Sequence, residues 1–398
     1  VARDIHVRSF GSVTAIARQT WDGLLPGEAE NWDFYAAVEK SPPAGFKLGA
    51  LAALRDGKIV SAAPIFRTAY RLDTPLQGSL RRWTDTLYAR KPGLVSLPVI
   101  GLGSPMSDNC ALGFAPELGS SERVAVFGAM LQRLAVLAHD ERCNLLAVKG
   151  LDGSAELLQP SLGQHGFTAI TGVPLAMLDL PQSSLDQYFA SLPTKDASYL
   201  RRKMRAAGAI RTEYRSSIEG LEDQIMSLFA STLHHSRVDY GEFQHFGPDY
   251  FSHVLHDMRD RAQLMLCWRD RDLVSFQLSL ISPDLIVTKH IGMQYPAARE
   301  FNLYFINWLK LIEFAIEHRI PRIEMGATTY ATKLLFGARL ERRWLHFRFR
   351  RRVSNAIFSP LGRWLDFESN DPELKTLGPA LENRFGGEGL RRMSMFEG

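Results

Sequence analysis

Between Glu324 and Gly337 the chain places a carboxylate, a phenol and an ammonium around two glycines: Glu324, Gly326, Tyr330, Lys333 and Gly337. Such a set can move a proton, steady a developing negative charge and neutralise a phosphate. Glu324 is suited to take a proton directly or through water. Tyr330 can return a proton to a leaving group or position a carbonyl, and Lys333 offers a compact point charge. Against these roles stand ordinary ones: an ion pair of Glu324 with Arg322 or Arg319, packing of Tyr330, and a surface turn.

Other residues could bind. His234, His235, Arg237 and Asp239 follow one another closely, and His290 shares a strand face with Thr288. Adjacent histidines cannot both face one site from a helix, so they do not read as a metal pair. No metal-ligand spacing occurs elsewhere. No H-E-x-x-H, G-x-S-x-G, P-loop or CxxC motif occurs, which excludes the usual metalloprotease, serine hydrolase and P-loop readings. Gly101-x-Gly103 lacks the third glycine of a dinucleotide fingerprint.

These residues need elements to hold them. Arg322–Met325 alternates apolar and charged residues, as a strand does. Asn302–His318 is predicted as a helix, with Phe305, Leu309, Ile312 and Ile316 in one stripe and Pro321 ending it. Three strands precede it: Gln263–Trp268, Leu273–Ile281 and Leu285–Gly292. The first half repeats that order. Leu48–Leu54 and Lys58–Phe66 flank an Asp56-Gly57 turn, the strongest short hairpin signal. Leu94–Leu102 follows, then a helix over Ser121–His139 and a strand over Leu145–Val148. Thr168–Leu180 reads as one further strand region. A repeated α/β unit predicts an α/β (α+β) protein with two similar domains, each a mixed sheet flanked by helices. The expected bounds are 1–180 and 216–352, joined by a basic helical segment over 181–215 and followed by a tail over 353–398.

Composition agrees with a folded chain. The 398 residues are 45% hydrophobic and 23% charged, enough for two cores. Net charge is +4, too small to imply nucleic acid on its own. Basic residues cluster instead, at Lys195–Arg215 and Arg339–Arg352. On the second cluster, Leu345, Phe347 and Phe349 alternate with His346, Arg348 and Arg350, and the Arg348–Arg352 face reads as a docking surface. Three unpaired cysteines fit a reducing compartment. No apolar run follows a basic start and no 18-residue apolar segment occurs, so the expected location is cytoplasmic, with peripheral membrane contact left open.

The order hairpin–strand–helix–strand, used twice, resembles the duplicated GNAT fold of the FemAB-like acyltransferases. Phe189–Arg215 is similar to that family's basic helix. Asn302-Leu303 stands where its helix begins, Glu324-Met-Gly326 stands near its strand end, and Lys333–Gly337 (KLLFG) is similar to its lysine motif. The resemblance implies two tandem GNAT-like domains and N-acyl transfer to an amine. The implied catalytic residues are Glu324, Tyr330 and Lys333. Arg299, Asn302, Leu303 and Lys333 would hold the donor, and His234, Arg237, Asp239 and His290 the acceptor. No permanently bound cofactor is expected. The implied donor co-substrate is acyl-CoA, with an acyl-carrier protein or a charged tRNA as alternatives. The implied acceptor is a small-molecule or saccharide amine, such as a cell-envelope precursor; DNA is not expected. The chain departs from single-domain relatives in lacking the glycine-rich pyrophosphate loop before Asn302. Aminoacyl-tRNA-dependent transfer, and a non-catalytic nucleotide- or saccharide-binding module, are the competing readings.

Overall fold

The computed structural model describes residues 5–71, 96–151, 153–206, 210–236, 246–358 and 371–377, together with 86, 88, 90 and 208. Arg237 and Asp239, and nearly all of the polar stretch 72–93, lie outside the described residues. The strands are β1 (Ile5–Phe10), β2 (Lys47–Arg55), β3 (Lys58–Arg71), β4 (Ser96–Leu102), β5 (Gly113–Phe114), β6 (Leu145–Leu151), β7 (Thr168–Thr171) and β8 (Leu175–Asp179). They continue as β9 (Ile210–Arg215), β10 (Ala262–Arg269), β11 (Asp272–Ile281), β12 (Ile286–Met293), β13 (Arg322–Gly326), β14 (Arg339–Glu341) and β15 (Trp344–Phe349).

The strands form two mixed sheets. The first runs β1-β2-β3-β4-β6-β15-β7, with β5 beside β3; the second runs β14-β8-β13-β12-β11-β10-β9. In each, an antiparallel meander ends in one parallel pair bridged by a long helix. Ser120–Asp140 joins β4 to β6, and Leu303–Glu317 joins β12 to β13. The helix stripes are buried as their periodicity requires: Val126, Phe127, Met130, Leu131 and Leu134 in the first, Leu309, Ile312 and Ile316 in the second. The Asp56-Gly57 turn has both residues at positive φ (50° and 77°), the twist a tight hairpin needs. The tandem GNAT-like arrangement is therefore present.

The two units exchange strands. β8 leaves the first half of the chain to lie between β13 and β14, and β15 returns from the second half to lie between β6 and β7. Thr168–Leu180, expected as one strand region, is thus two strands in two different sheets. Alternation reveals a strand but not its partner. The Arg348–Arg352 face is corrected likewise. β15 is interior, with Phe347 in a cluster with Phe46, Phe66 and Val99. On its other face His346 Nε2 meets Gln159 Oε1 at 3.0 Å, and Arg348 donates to the His165 carbonyl at 2.9 Å. The segment expected to be mostly helical, 184–211, holds helices Leu185–Ser191 and Thr194–Ala206, then edge strand β9.

Candidate active site

β12 and β13 pair in parallel at only two positions, Ile286↔Ile323 and Val287↔Glu324. Beyond them both strands are bulged. On β12, Leu278 opposes His290 and Ser279 opposes Thr288, so Lys289 is the extra residue. On β13, Met325 is skipped in the pairing with β8. Bulges bend strands and re-aim side chains, and here they splay the two apart. Glu324 is the last residue of β13 before the opening.

Alternation puts Ile323 and Met325 under the Leu303–Glu317 helix and turns Glu324 toward the first unit. There it meets the loop after β4. Asn109 Nδ2 donates to Glu324 Oε2 at 3.0 Å. Arg343 Nε donates to Asn109 Oδ1 at 2.7 Å, and Arg343 Nη2 to Glu341 Oε2 at 3.1 Å. Glu324 is 3% exposed. Burial, then the charges of Asp108 and Glu30, push its carboxyl up to about 7, against the pull of Arg343 and Lys289.

The 104–110 loop is pinned from both units. Lys149 of β6 donates to the carbonyls of Ser104 (3.1 Å) and Ser107 (2.5 Å). Lys289 donates to the Met106 carbonyl at 2.6 Å and pairs with Glu30. Burial works against the Lys289 charge, but Glu30, Tyr250 and Asp108 outweigh it and hold the ammonium above its ordinary range. Gly150 lets the loop approach: a Cβ there would lie 2.1 Å from the Asp108 carbonyl oxygen. Asp108 itself is exposed, and its charge acts on Glu324, Lys333, Lys149 and Lys289 alike. Four elements therefore converge on it. Sequence reasoning missed Lys289, Asp108, Asn109 and Arg343; a polar loop straight after a buried strand was the available signal.

Lys333 is buried and donates to the carbonyls of Gly326 (2.9 Å) and Ala327 (2.7 Å). It clamps a turn in which Gly326, Thr328 and Thr329 all have positive φ, a conformation unfavourable for β-branched residues. Burial pulls its ammonium down to about 7, against Asp108, Glu373 and Glu324.

The other expected residues fall elsewhere. Tyr330 is fully buried and its hydroxyl donates to the Pro174 carbonyl at 3.2 Å, which makes it a packing residue. The Leu303 side chain is in the core. His290 sits among Phe229, Phe246, Tyr250 and Phe251. Burial, then the Lys289 charge, depress its imidazole to about 3, so it is neutral. His234 is exposed beside His235, which stacks on Tyr295 at 4.0 Å. Tyr295 lies just past the far end of β12, whose last residue, Met293, is about 20 Å along the strand from the Val287–Glu324 pair at the usual rise. Arg299 is exposed there too, over the Tyr295 ring.

The two long helices begin differently. At Ser120–Asp140, Glu122 Oε2 accepts from the Gly119 N–H at 3.0 Å, closing that end with a carboxylate. At Leu303–Glu317 the N-cap Asn302 makes no side-chain cap and the first turn holds no acid. Instead Lys203 donates to Asn302 Oδ1 at 2.5 Å.

A family model described as the acetyltransferase (GNAT) domain matches residues 194–334. Among solved structures, FemX superposes with a TM-score of 0.56 at 12% identity, covering 87% of this chain and 99% of FemX. Among curated proteins, the chain is 24% identical over 327 residues to a Mycobacterium tuberculosis protein named as 8-amino-7-oxononanoate synthase 2, in strains CDC 1551 / Oshkosh and ATCC 25618 / H37Rv. That match takes in 78% of this chain but only 40% of the relative's length. Among the described residues no helix is long and apolar enough to cross a membrane. Residues 194–334 thus match the GNAT acetyltransferase domain, set in a chain whose tandem fold is like that of FemX.

Proposed function

We propose that the protein moves an acyl group from acyl-CoA to the primary amine of a sugar, a cell-envelope precursor or a small metabolite, with Glu324 as general base. The observation that carries this reading is a buried carboxyl, raised to about 7, at the mouth of the β12–β13 splay. A base poised near the working pH combines the right protonation state with the strongest proton transfer. The amine nitrogen attacks the thioester carbonyl, the C–N bond forms, and the C–S bond breaks. Glu324 takes the proton lost by the nitrogen, and the thiolate leaves.

The donor's phosphates suit the start of the Leu303–Glu317 helix, where backbone amides, Lys203 and Arg299 supply positive charge. In the first unit the start of the corresponding helix is already met by the Glu122 carboxylate. Lys333 shapes the turn beside the reacting groups and adds positive charge when protonated. The name of the curated relatives specifies a small amino-oxo acid, which favours a small metabolite among the acceptors.

A charged tRNA is the second reading, favoured by exposed Arg201 and Arg202 on the Thr194–Ala206 helix, stacked on Phe189 and Tyr199. Acyl-CoA donors incubated with a panel of amines, read by mass spectrometry for N-acyl product and free thiol, test the first reading. Product from wild type and a loss of 100-fold or more in Glu324→Gln support it. Transfer only from charged tRNA, with binding that weakens steeply with salt, replaces it by the second.

A further inference from the structure

Glu324 belongs to the GNAT domain, yet the side chain that holds it comes from the other unit. Asn109 lies in the loop after β4 of the first sheet. Its amide has two chemically different ends, one donating and one accepting. Arg343 can only donate, so its Nε, 2.7 Å away, dictates that the Asn109 oxygen faces it. The Asn109 NH2 is thereby left toward Glu324 Oε2, at 3.0 Å. Arg343 is in turn held by Glu341 at 3.1 Å and is 7% exposed.

Arg343 also occupies a singular point in the fold. Glu341 ends β14 in the second sheet and Trp344 begins β15 in the first. Arg342 and Arg343 are therefore the whole connection by which the chain passes from one sheet to the other. The chain of contacts Glu341–Arg343–Asn109–Glu324 leaves the second unit, passes through the first and returns.

We infer that Asn109 and Arg343 are positioning residues for acyl transfer: Arg343, at the strand exchange, orients the Asn109 amide, which fixes the rotamer and favours the ionised form of Glu324. Neither touches the reacting atoms. The inference rests on the proposed role of Glu324, and on the observed hydrogen bonds rather than on any donor or acceptor.

A hydrogen bond donated to a carboxylate favours its charged form, as does a nearby guanidinium. Removing either must raise the proton affinity of Glu324. The test is a carbon-13 NMR titration of the Glu324 carboxyl in the full-length, substrate-free protein, in wild type, Asn109→Ala and Arg343→Lys. Asn109 is on a half-buried loop, and Arg343→Lys keeps the charge if Arg343→Ala fails to fold. The expected result is an upward shift of at least about half a unit in Asn109→Ala, the size one lost charge-stabilising bond produces. Arg343→Lys, which loses the fork that orients the amide, shifts the same way. The acid limb of the kcat/KM profile moves up with it, while donor KM stays within twofold. An unmoved Glu324 titration in folded Asn109→Ala overturns the inference, whatever the activity. A shifted titration without acyl transfer from CoA leaves the inference standing and defeats the donor reading instead.

Discussion

Lys289 of β12 and Glu30 of the first unit form an ion pair across the two units, with the side chains only 7% and 8% exposed. Lys289 is also the bulge residue that begins the splay beside Glu324. One side chain therefore sets the cleft and fastens it to the neighbouring unit. Breaking a buried pair from one side strands the other charge, which typically costs about 3–5 kcal/mol. Lys289→Met and Glu30→Gln should each lower the melting temperature by many degrees. The double substitution should recover part of the loss, which a double-mutant cycle by calorimetry would show.

Glu324→Gln should be almost inactive yet more stable. The folded carboxyl is raised to about 7 above an ordinary value near 4.5. Its contribution is fully present below the unfolded value and is lost as pH rises through about 7. At pH 8 the charged carboxylate therefore costs on the order of 3 kcal/mol. Gln removes the charge and keeps an oxygen for Asn109. Chemical denaturation should show a gain at pH 8 and none at pH 4; a gain at pH 4 alone would contradict the burial account.

The pH–rate profile should be a narrow bell near neutrality. Glu324 must be ionised to accept a proton, so the rate rises as pH passes about 7. Lys333, lowered to about 7, loses its charge in the same region. The Glu324 charge also acts on Lys333, so the two limbs overlap. Glu324→Gln should flatten the acid limb, and Lys333→Met the alkaline one.

Lys333→Ala should reduce kcat/KM by at least about tenfold, roughly 1.4 kcal/mol. It withdraws a donor from the Gly326 and Ala327 carbonyls and releases the left-handed Thr328-Thr329 turn. Steady-state kinetics at saturating donor and acceptor would separate a turnover effect from a binding effect.

Gly150→Ala should lose at least about 2 kcal/mol, because its backbone is at φ +75° and the new methyl would overlap the Asp108 carbonyl. Activity should fall with it, since the displaced loop carries Asn109. Thermal melts paired with activity at a permissive temperature would check both.

Much of this was legible in the sequence. The Asp56-Gly57 hairpin and the stripes of the two long helices follow from local periodicity and turn chemistry. Tyr330 misled because a phenol near a glycine turn looks the same whether its hydroxyl meets a substrate or the Pro174 carbonyl. Asn109 and Arg343 were illegible for a deeper reason. They lie 234 residues apart, and nothing local to either announces the other. Lys289 was hidden by a bulge, which breaks the alternation used to assign strand faces.

The exchange of β8 and β15 bears on how the protein comes apart. Each sheet needs a strand from the other half of the chain in its interior. Neither half can reach its native hydrogen bonding while the other is unfolded. Heat or denaturant should therefore melt the protein in one cooperative transition rather than two. Fragments severed between the Thr194–Ala206 helix and β9 should be insoluble when expressed apart, and should regain structure only when produced together.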